Sequence, residues 1–293
     1  MKSIAKTIQT TIGLTALVAA AAVFAESSTT FARIAEDDQN RAIALQLAVV
    51  TYVPNDERLR LSVDLIGAVH IGDPAYYAQL NELFESYDVL LYELVAAEGA
   101  MVAERVAKRR GFLSTAQVGL TKLLDLSFQL DEINYDRANF VHADLSPDEL
   151  RQSMEARGES LYVYFWRLFY ASLDDYAKDP LGWNDMQKIS RVLAAGQGDS
   201  FKTLIAYEMT DMDQIQDILG EDSGSAVIGA RNQRVIDVLR REIELGAKRI
   251  GIFYGVAHMP DLEERLLDQV GLEQAETIWV DAWRLGSAVA TDQ

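Results

Sequence analysis

Apolar and polar positions divide this chain into two strand-like ends around a helical middle. Ala42 to Val53 is a strand-like apolar run, and Arg58 to Val69 follows with Leu59, Leu61, Val63 and Leu65 at alternate positions. Val53-Pro54-Asn55-Asp56-Glu57 between them carries turn residues, so the pair predicts an antiparallel hairpin. From Pro74 to Tyr87 the period becomes helical, with Tyr77, Leu80, Leu83 and Phe84 on one face. Asp73 suits an N-cap ahead of proline at the first helical position. Tyr87 to Val95 then reads as a buried strand, its apolar run interrupted by one carboxylate, Glu93.

Helical patterns dominate from Ala96 to Glu244. They cover Ala116–Leu130, Ser146–Ala156, Leu161–Leu173, Trp183–Ala195, Ser200–Leu219 and Ala226–Gly246, with breaks such as Gly196-Gln197-Gly198. Strand character returns at Arg249–Tyr254 and Ala275–Trp283. No linker or low-complexity stretch separates the ends, which can bury their strands against each other. The expectation is one α/β domain over residues 26–293, with a large helical insert at about 96–246.

The first residues change the picture of where the domain starts. Met1 to Lys6 is a short basic segment, Ile12 to Phe24 is apolar, and Val23-Phe24-Ala25 has small residues at the −3 and −1 positions. This predicts a signal peptide over residues 1–25, cleaved after Ala25. The apolar stretch is shorter than the roughly 18–20 residues that span a bilayer, so no stable membrane span is expected after cleavage. A periplasmic or secreted location follows. The chain has 293 residues, and losing Lys2 and Lys6 moves its formal charge from −18 to −20. Such an acid surplus repels phosphate backbones and argues against a nucleic-acid partner. The absence of cysteine excludes disulfides, thiol catalysis and cysteine-bound metals. Any metal must then be held by carboxylates and three histidines.

Those histidines are patterned. Gly67-Ala68-Val69-His70 follows one strand and Gly255-Val256-Ala257-His258 another; an aspartate (Asp73, Asp261) stands three residues after each histidine. In each case a helix and a second strand come next, and an acid lies 23 residues beyond the histidine, Glu93 and Asp281 respectively. A single such turn is commonly a capping or core histidine; two with matched acids point to one shared site and an internal pseudo-twofold. The fold class expected is therefore a mixed β-sheet core built from N- and C-terminal pseudo-repeats. Functional groups gather beyond the carboxyl ends of parallel strands. Glycine at the strand exit permits close backbone approach or positive φ. Glu93 inside an apolar strand is costly to bury unless paired or metal-bound. His70, Glu93 and His258 together have the composition of a two-histidine, one-carboxylate centre for a divalent ion such as Mn, Co or Zn. Asp73 and Asp261 read as N-caps. Asp281 could orient a histidine or pair with Arg284, and His142 falls in a predicted loop before Ser146.

The paired Gly-x-x-His turns with the intervening glutamate resemble the TraB/Tiki superfamily, which includes GumN-type bacterial proteins. Leu65 to Val95 is the nearest stretch and Gly251 to Trp283 the second. The resemblance implies an α/β fold shared with erythromycin-esterase-like and ChaN-like proteins, and an active-site role for His70, Glu93 and His258. Tiki members are divalent-metal-dependent proteases, and TraB members restrain a peptide pheromone.

Two further features come from spacing. Arg231 lies within the apolar stripe of Ile228, Val235, Val238 and Leu239, where a guanidinium needs a carboxylate partner or a substrate oxyanion. Arg234, Arg240 and Arg241 read as the solvated face. Tyr162 to Tyr170 holds six aromatics in nine residues, more than one core face can bury. A cleft, a second copy of the chain or a membrane surface are the remaining occupants.

These readings converge on an exported metal-dependent hydrolase, first of all a peptidase. His70, Glu93 and His258 would hold the metal, Arg231 would face the oxyanion, and His142 or Asp144 would relay protons. The alternatives are a protein that sequesters a peptide or small ligand without turnover, and a metal-independent esterase-like hydrolase using histidine and Glu93.

Overall fold

A computed structural model describes residues 30–56, 58–95, 126–157, 202–203, 205–207, 209–210 and 226–286. The predicted signal peptide, the aromatic segment at 162–170 and the helices expected at Leu161–Leu173 and Trp183–Ala195 lie outside them. In chain order the elements are β1 (Ala32–Glu36), β2 (Ala42–Pro54), β3 (Ser62–Ala68), β4 (Ile71–Gly72), α1 (Pro74–Phe84) and β5 (Val89–Tyr92). There follow β6 (Ser127–Phe128), α2 (Gln129–Glu132), β7 (Phe140–His142) and α3 (Pro147–Ala156). The last group is α4 (Arg231–Glu244), β8 (Arg249–Gly255), α5 (Met259–Arg265) and β9 (Leu272–Arg284).

Seven strands form one mixed sheet, as the α/β expectation requires. Strand β2 is its spine. β9 runs antiparallel along one edge of β2 from Ala44 to Pro54, so β1 and β3 must divide the other edge. The predicted hairpin is the β2–β3 pair. Beyond β3 the sheet becomes parallel in the order β3, β8, β5, β7. β8 lies between β3 and β5, and its Ile250, Ile252, Phe253 and Tyr254 are all buried. Gly251 in mid-strand is a packing requirement, since a Cβ there would stand 2.5 Å from Leu90 Cδ1.

The parallel strands all finish at one edge of the sheet. Ala68 is in register with Gly255, and Tyr92 is in register with both Phe253 and His142. The residues that follow, Val69-His70, Glu93, Ala143-Asp144 and Val256-Ala257-His258, emerge side by side. Helix α1 fixes the first exit: it buries Tyr76, Tyr77, Leu80 and Phe84, with the Tyr76 and Tyr77 hydroxyls donating to the Gly67 and Val69 carbonyls. Helix α3 starts where Ser146 and Glu149 form a capping box. Helix α4 follows a wider turn at Ala226–Ala230 and buries Val235, Ile236, Val238 and Leu239. Among the described residues no helix is long and apolar enough to cross a membrane.

The structure departs from the sequence expectations in several places. The region expected to be a helical insert supplies an edge strand, β7, and His142 is its last residue rather than part of a loop. The described end of the helix expected at Ala116–Leu130 is instead strand β6, paired with β4, followed by a helix from Gln129. Strand β1 was not anticipated. Asp73 is at the N-cap position of α1 but makes no side-chain cap; its carboxylate accepts from Lys202 Nζ at 2.9 Å and the Arg284 amide at 2.6 Å. Asp261 lies inside the first turn of α5 and is bound by Asn232 and Arg265. Asp281 neither orients a histidine nor pairs with Arg284: it accepts from Gln46 Nε2 at 2.7 Å across the β2–β9 pair. The two Gly-x-x-His units thus share strand, turn and helix, but their acids end in different surroundings.

Candidate functional site

The site is built at the carboxyl ends of β3, β5, β7 and β8, with α4 approaching them by its first turn. Arg231 opens that helix and is its best-connected side chain. Nε and Nη2 donate to the two Asp144 carboxylate oxygens at 2.9 and 2.6 Å, a bidentate pair. Nη2 also donates to Glu93 Oε1 at 2.7 Å, and Nη1 lies 3.2 Å from His258 Nε2. Arg231 is thus the buried guanidinium that the apolar stripe implied, with two carboxylates as partners. The Asp144 side chain is 0% exposed, Arg231 9% and Glu93 15%, so Glu93 is the anion of the cluster most open to solvent.

Gly255 explains how Glu93 sits. Its amide donates to Glu93 Oε2 at 2.7 Å, and a Cβ on this residue would meet the same oxygen at 3.2 Å. Its φ is −51°, so the glycine serves close approach and not positive φ. Burial alone would raise the Glu93 carboxyl. The electrostatic pull of His258, Arg231 and His70, with the hydrogen bond from the Gly255 amide, outweighs burial and holds it at about 2. Burial also pushes His258 down to about 4, against the pull of Glu93. At neutral pH His258 is therefore uncharged, and the guanidinium and the Gly255 amide keep Glu93 ionised. Burial opposes the Arg231 charge too, but Asp144 and Glu93 more than offset it, and the guanidinium is held charged.

The two patterned histidines occupy unlike places. His258 is buried, with Nδ1 2.6 Å from Asn232 Oδ1 and its ring edge-on to Tyr254. His70 is exposed; its Nδ1 lies 3.3 Å from Gln129 Oε1, and its carbonyl accepts the Gln129 amide at 2.9 Å. Among the described residues none bonds His70 Nε2. His142 faces elsewhere, with Nε2 2.6 Å from the Leu94 carbonyl and no described bond to the Arg231 cluster. Asn232, Gln129 and Asp144 carry the arrangement. Asp144 was anticipated only as a proton relay, and the two amides gave no signal beyond Asn232 following Arg231 in sequence.

The expected metal set can be tested against these contacts. Glu93 Oε1 and His258 Nε2 are 3.8 Å apart, but one guanidinium already lies against both. Asp144 anchors that guanidinium twice, so a fixed positive charge lies beside the position an ion shared by Glu93 and His258 would need. Among the described residues no group of three or more His, Asp or Glu could hold a metal ion. A divalent cation on Glu93 and His258 would sit against the charge of Arg231.

Chemically, the sheet edge offers a fixed positive charge bound to Glu93 and an exposed imidazole, His70, whose charge Glu93 feels. Four of the five Arg231 N–H groups are committed by the bonds above, which leaves one Nη1 hydrogen among the described residues. Comparison with protein-family models finds no match, and comparison with curated proteins finds none either. The likeness to the TraB/Tiki superfamily thus rests on the two Gly-x-x-His turns and Glu93.

Proposed function

We propose that this chain is an exported hydrolase that cleaves an ester or peptide bond in a peptide or small-molecule substrate by general acid–base chemistry at His70. The observation that supports this is the pairing, at one sheet edge, of an exposed imidazole with a guanidinium pinned between two carboxylates. His70 Nε2 takes a proton from water as the water oxygen bonds to the substrate carbonyl carbon. The carbonyl oxygen gains the negative charge and is met by the remaining Nη1 hydrogen of Arg231. The C–O or C–N bond then breaks, and the His70 imidazolium returns its proton to the leaving group. Glu93, ionised and close enough to sense His70, stabilises that imidazolium.

This is the metal-independent form of the hydrolase reading, preferred to the metal-dependent peptidase because the Arg231 charge lies against both Glu93 and His258. The test is a digest of peptide and ester libraries by the signal-cleaved protein, with and without chelator, alongside metal analysis by mass spectrometry. The expected result is chelator-resistant turnover that His70→Ala lowers roughly 100-fold or more. Turnover abolished by chelator, with metal lost in His258→Ala, would return the reading to a metalloenzyme. Tight peptide binding without turnover would make the chain a sequestering protein.

A further inference from the structure

We infer that Asn232 is a positioning residue that holds His258 in one neutral form, with its proton on Nδ1, so that this histidine serves Arg231 as a lone-pair acceptor. The assignment follows from donors and acceptors with only one possible sense. A guanidinium has hydrogens and no lone pair to offer, so His258 Nε2, facing Arg231 Nη1 at 3.2 Å, must be the acceptor. On the other side of the ring, Asn232 could in principle present either end of its amide. Its NH2 group is fixed by the His258 carbonyl at 3.1 Å and Asp261 Oδ2 at 2.7 Å, and an ionised carboxylate and a carbonyl only accept. Oδ1 therefore faces Nδ1 at 2.6 Å, and Nδ1 must carry the hydrogen.

The support extends one layer further out. Asp261 is itself held by Arg265 Nε at 2.6 Å and Nη2 at 3.1 Å, and Arg265 Nη1 donates to Gln233 Oε1 at 2.7 Å. Consecutive residues of α4, Arg231 and Asn232, thus grip opposite edges of one imidazole, and α5 braces the second of them. The charged groups around the ring are Glu93, Arg231, Asp144 and Asp261, and burial among them favours the uncharged form. His70 has no such lock. Its partner Gln129 donates Nε2 to the Tyr135 hydroxyl at 2.8 Å, and a hydroxyl can reverse its sense. Gln129 can then turn its amide over, so His70 is free to take or give a proton at either nitrogen. The inference rests on the proposed hydrolase only in leaving proton transfer to His70. The tautomer itself is read without substrate, so the two can fail separately.

The test is nitrogen-15 NMR of the full chain labelled at histidine, with the three rings assigned through His70→Gln and His142→Gln. In the neutral pH range His258 is expected to show a protonated Nδ1, an unprotonated Nε2 and an Nδ1 proton protected from exchange. An Nε2–H form, a mixture of the two forms or an imidazolium overturns the inference. In Asn232→Leu the exchange of that proton is expected to speed up roughly tenfold, the loss of one net hydrogen bond. An unchanged rate overturns the role given to Asn232. If the leucine variant does not fold, Asn232→Asp keeps an oxygen in place and is expected to keep the proton on Nδ1; a switch to Nε2–H overturns the inference equally.

Discussion

The two Gly-x-x-His turns are the same words in different sentences. Both leave parallel strands in register with each other and both lead into a helix that opens with proline within its first two residues, yet one histidine is exposed and the other is buried. What differs is what arrives from elsewhere in the chain. The His70 turn meets the short β6–α2 unit and a single adaptable amide. The His258 turn meets the first turn of α4, which brings a guanidinium and an asparagine together. Identical spacing therefore places two imidazoles at one sheet edge, but long-range packing decides which is buried and held on both sides and which is left exposed.

The strongest way to break this contrast is to remove the group that separates the two environments. Arg231→Met leaves Asp144 and Glu93 without their shared partner and should cost about 3–5 kcal/mol in urea unfolding. It should also let His258 titrate at higher pH in NMR. Asp144→Asn tests the same pair from the other side and should be nearly as damaging.

The next effect is on the pH dependence of stability. The ordinary histidine value is 6.5, and the folded His258 lies at about 4. The unfolded chain binds the proton first, so stability is complete above the unfolded value and falls as pH drops toward the folded one. The expected loss is about 3 kcal/mol across this window. His258→Gln should flatten the slope in urea midpoints measured against pH. A further acid loss belongs to Glu93, whose contribution disappears as pH falls from its ordinary 4.5 through about 2.

Smaller effects separate the glycines. Gly255→Ala puts a Cβ 3.2 Å from Glu93 Oε2 and should weaken the amide bond to that carboxylate, costing about 1–2 kcal/mol. The equivalent Gly67→Ala meets nothing nearer than the Ala48 carbonyl oxygen at 3.5 Å and should change stability by no more than about 0.5 kcal/mol. Equal costs at the two positions would show that the turns are alike after all. The smallest stability change is expected for His70→Ala, within about 0.5 kcal/mol. For the proposed hydrolase that same substitution removes turnover, and thermal melts beside activity assays check both.

Much of the scaffold could be read from periodicity. The β2–β3 hairpin, α1, β5, α3, α4, β8 and β9 each carry enough alternating, helical or continuous apolar positions to declare themselves. β7 does not, because three residues give no period. β6 does not either, because two residues give no period. The matched Gly-x-x-His spacings single out His70, Glu93 and His258, which follow strands ending at one sheet edge, and the apolar stripe around Arg231 announces a buried charge. Asp281 misled, because a 23-residue spacing fixes distance along the chain and not the neighbour across the sheet. Asn232 and Gln129 stayed invisible because a lone amide has no pattern; only the atoms around it decide what it holds.

The position of β8 has a consequence for how the molecule comes into being. β3 and β5 are separated by only 20 residues, between Ala68 and Val89, yet they do not pair; each waits for a strand that begins at Arg249. A chain delivered N-terminus first exposes two adhesive strand edges until most of its length is available. The arrival of β8 closes both edges and, with His258 just behind it, completes the cluster in the same event. Self-association during refolding should therefore be set by the lifetime of that open wedge, and a chain truncated before Arg249 should aggregate rather than form a smaller domain.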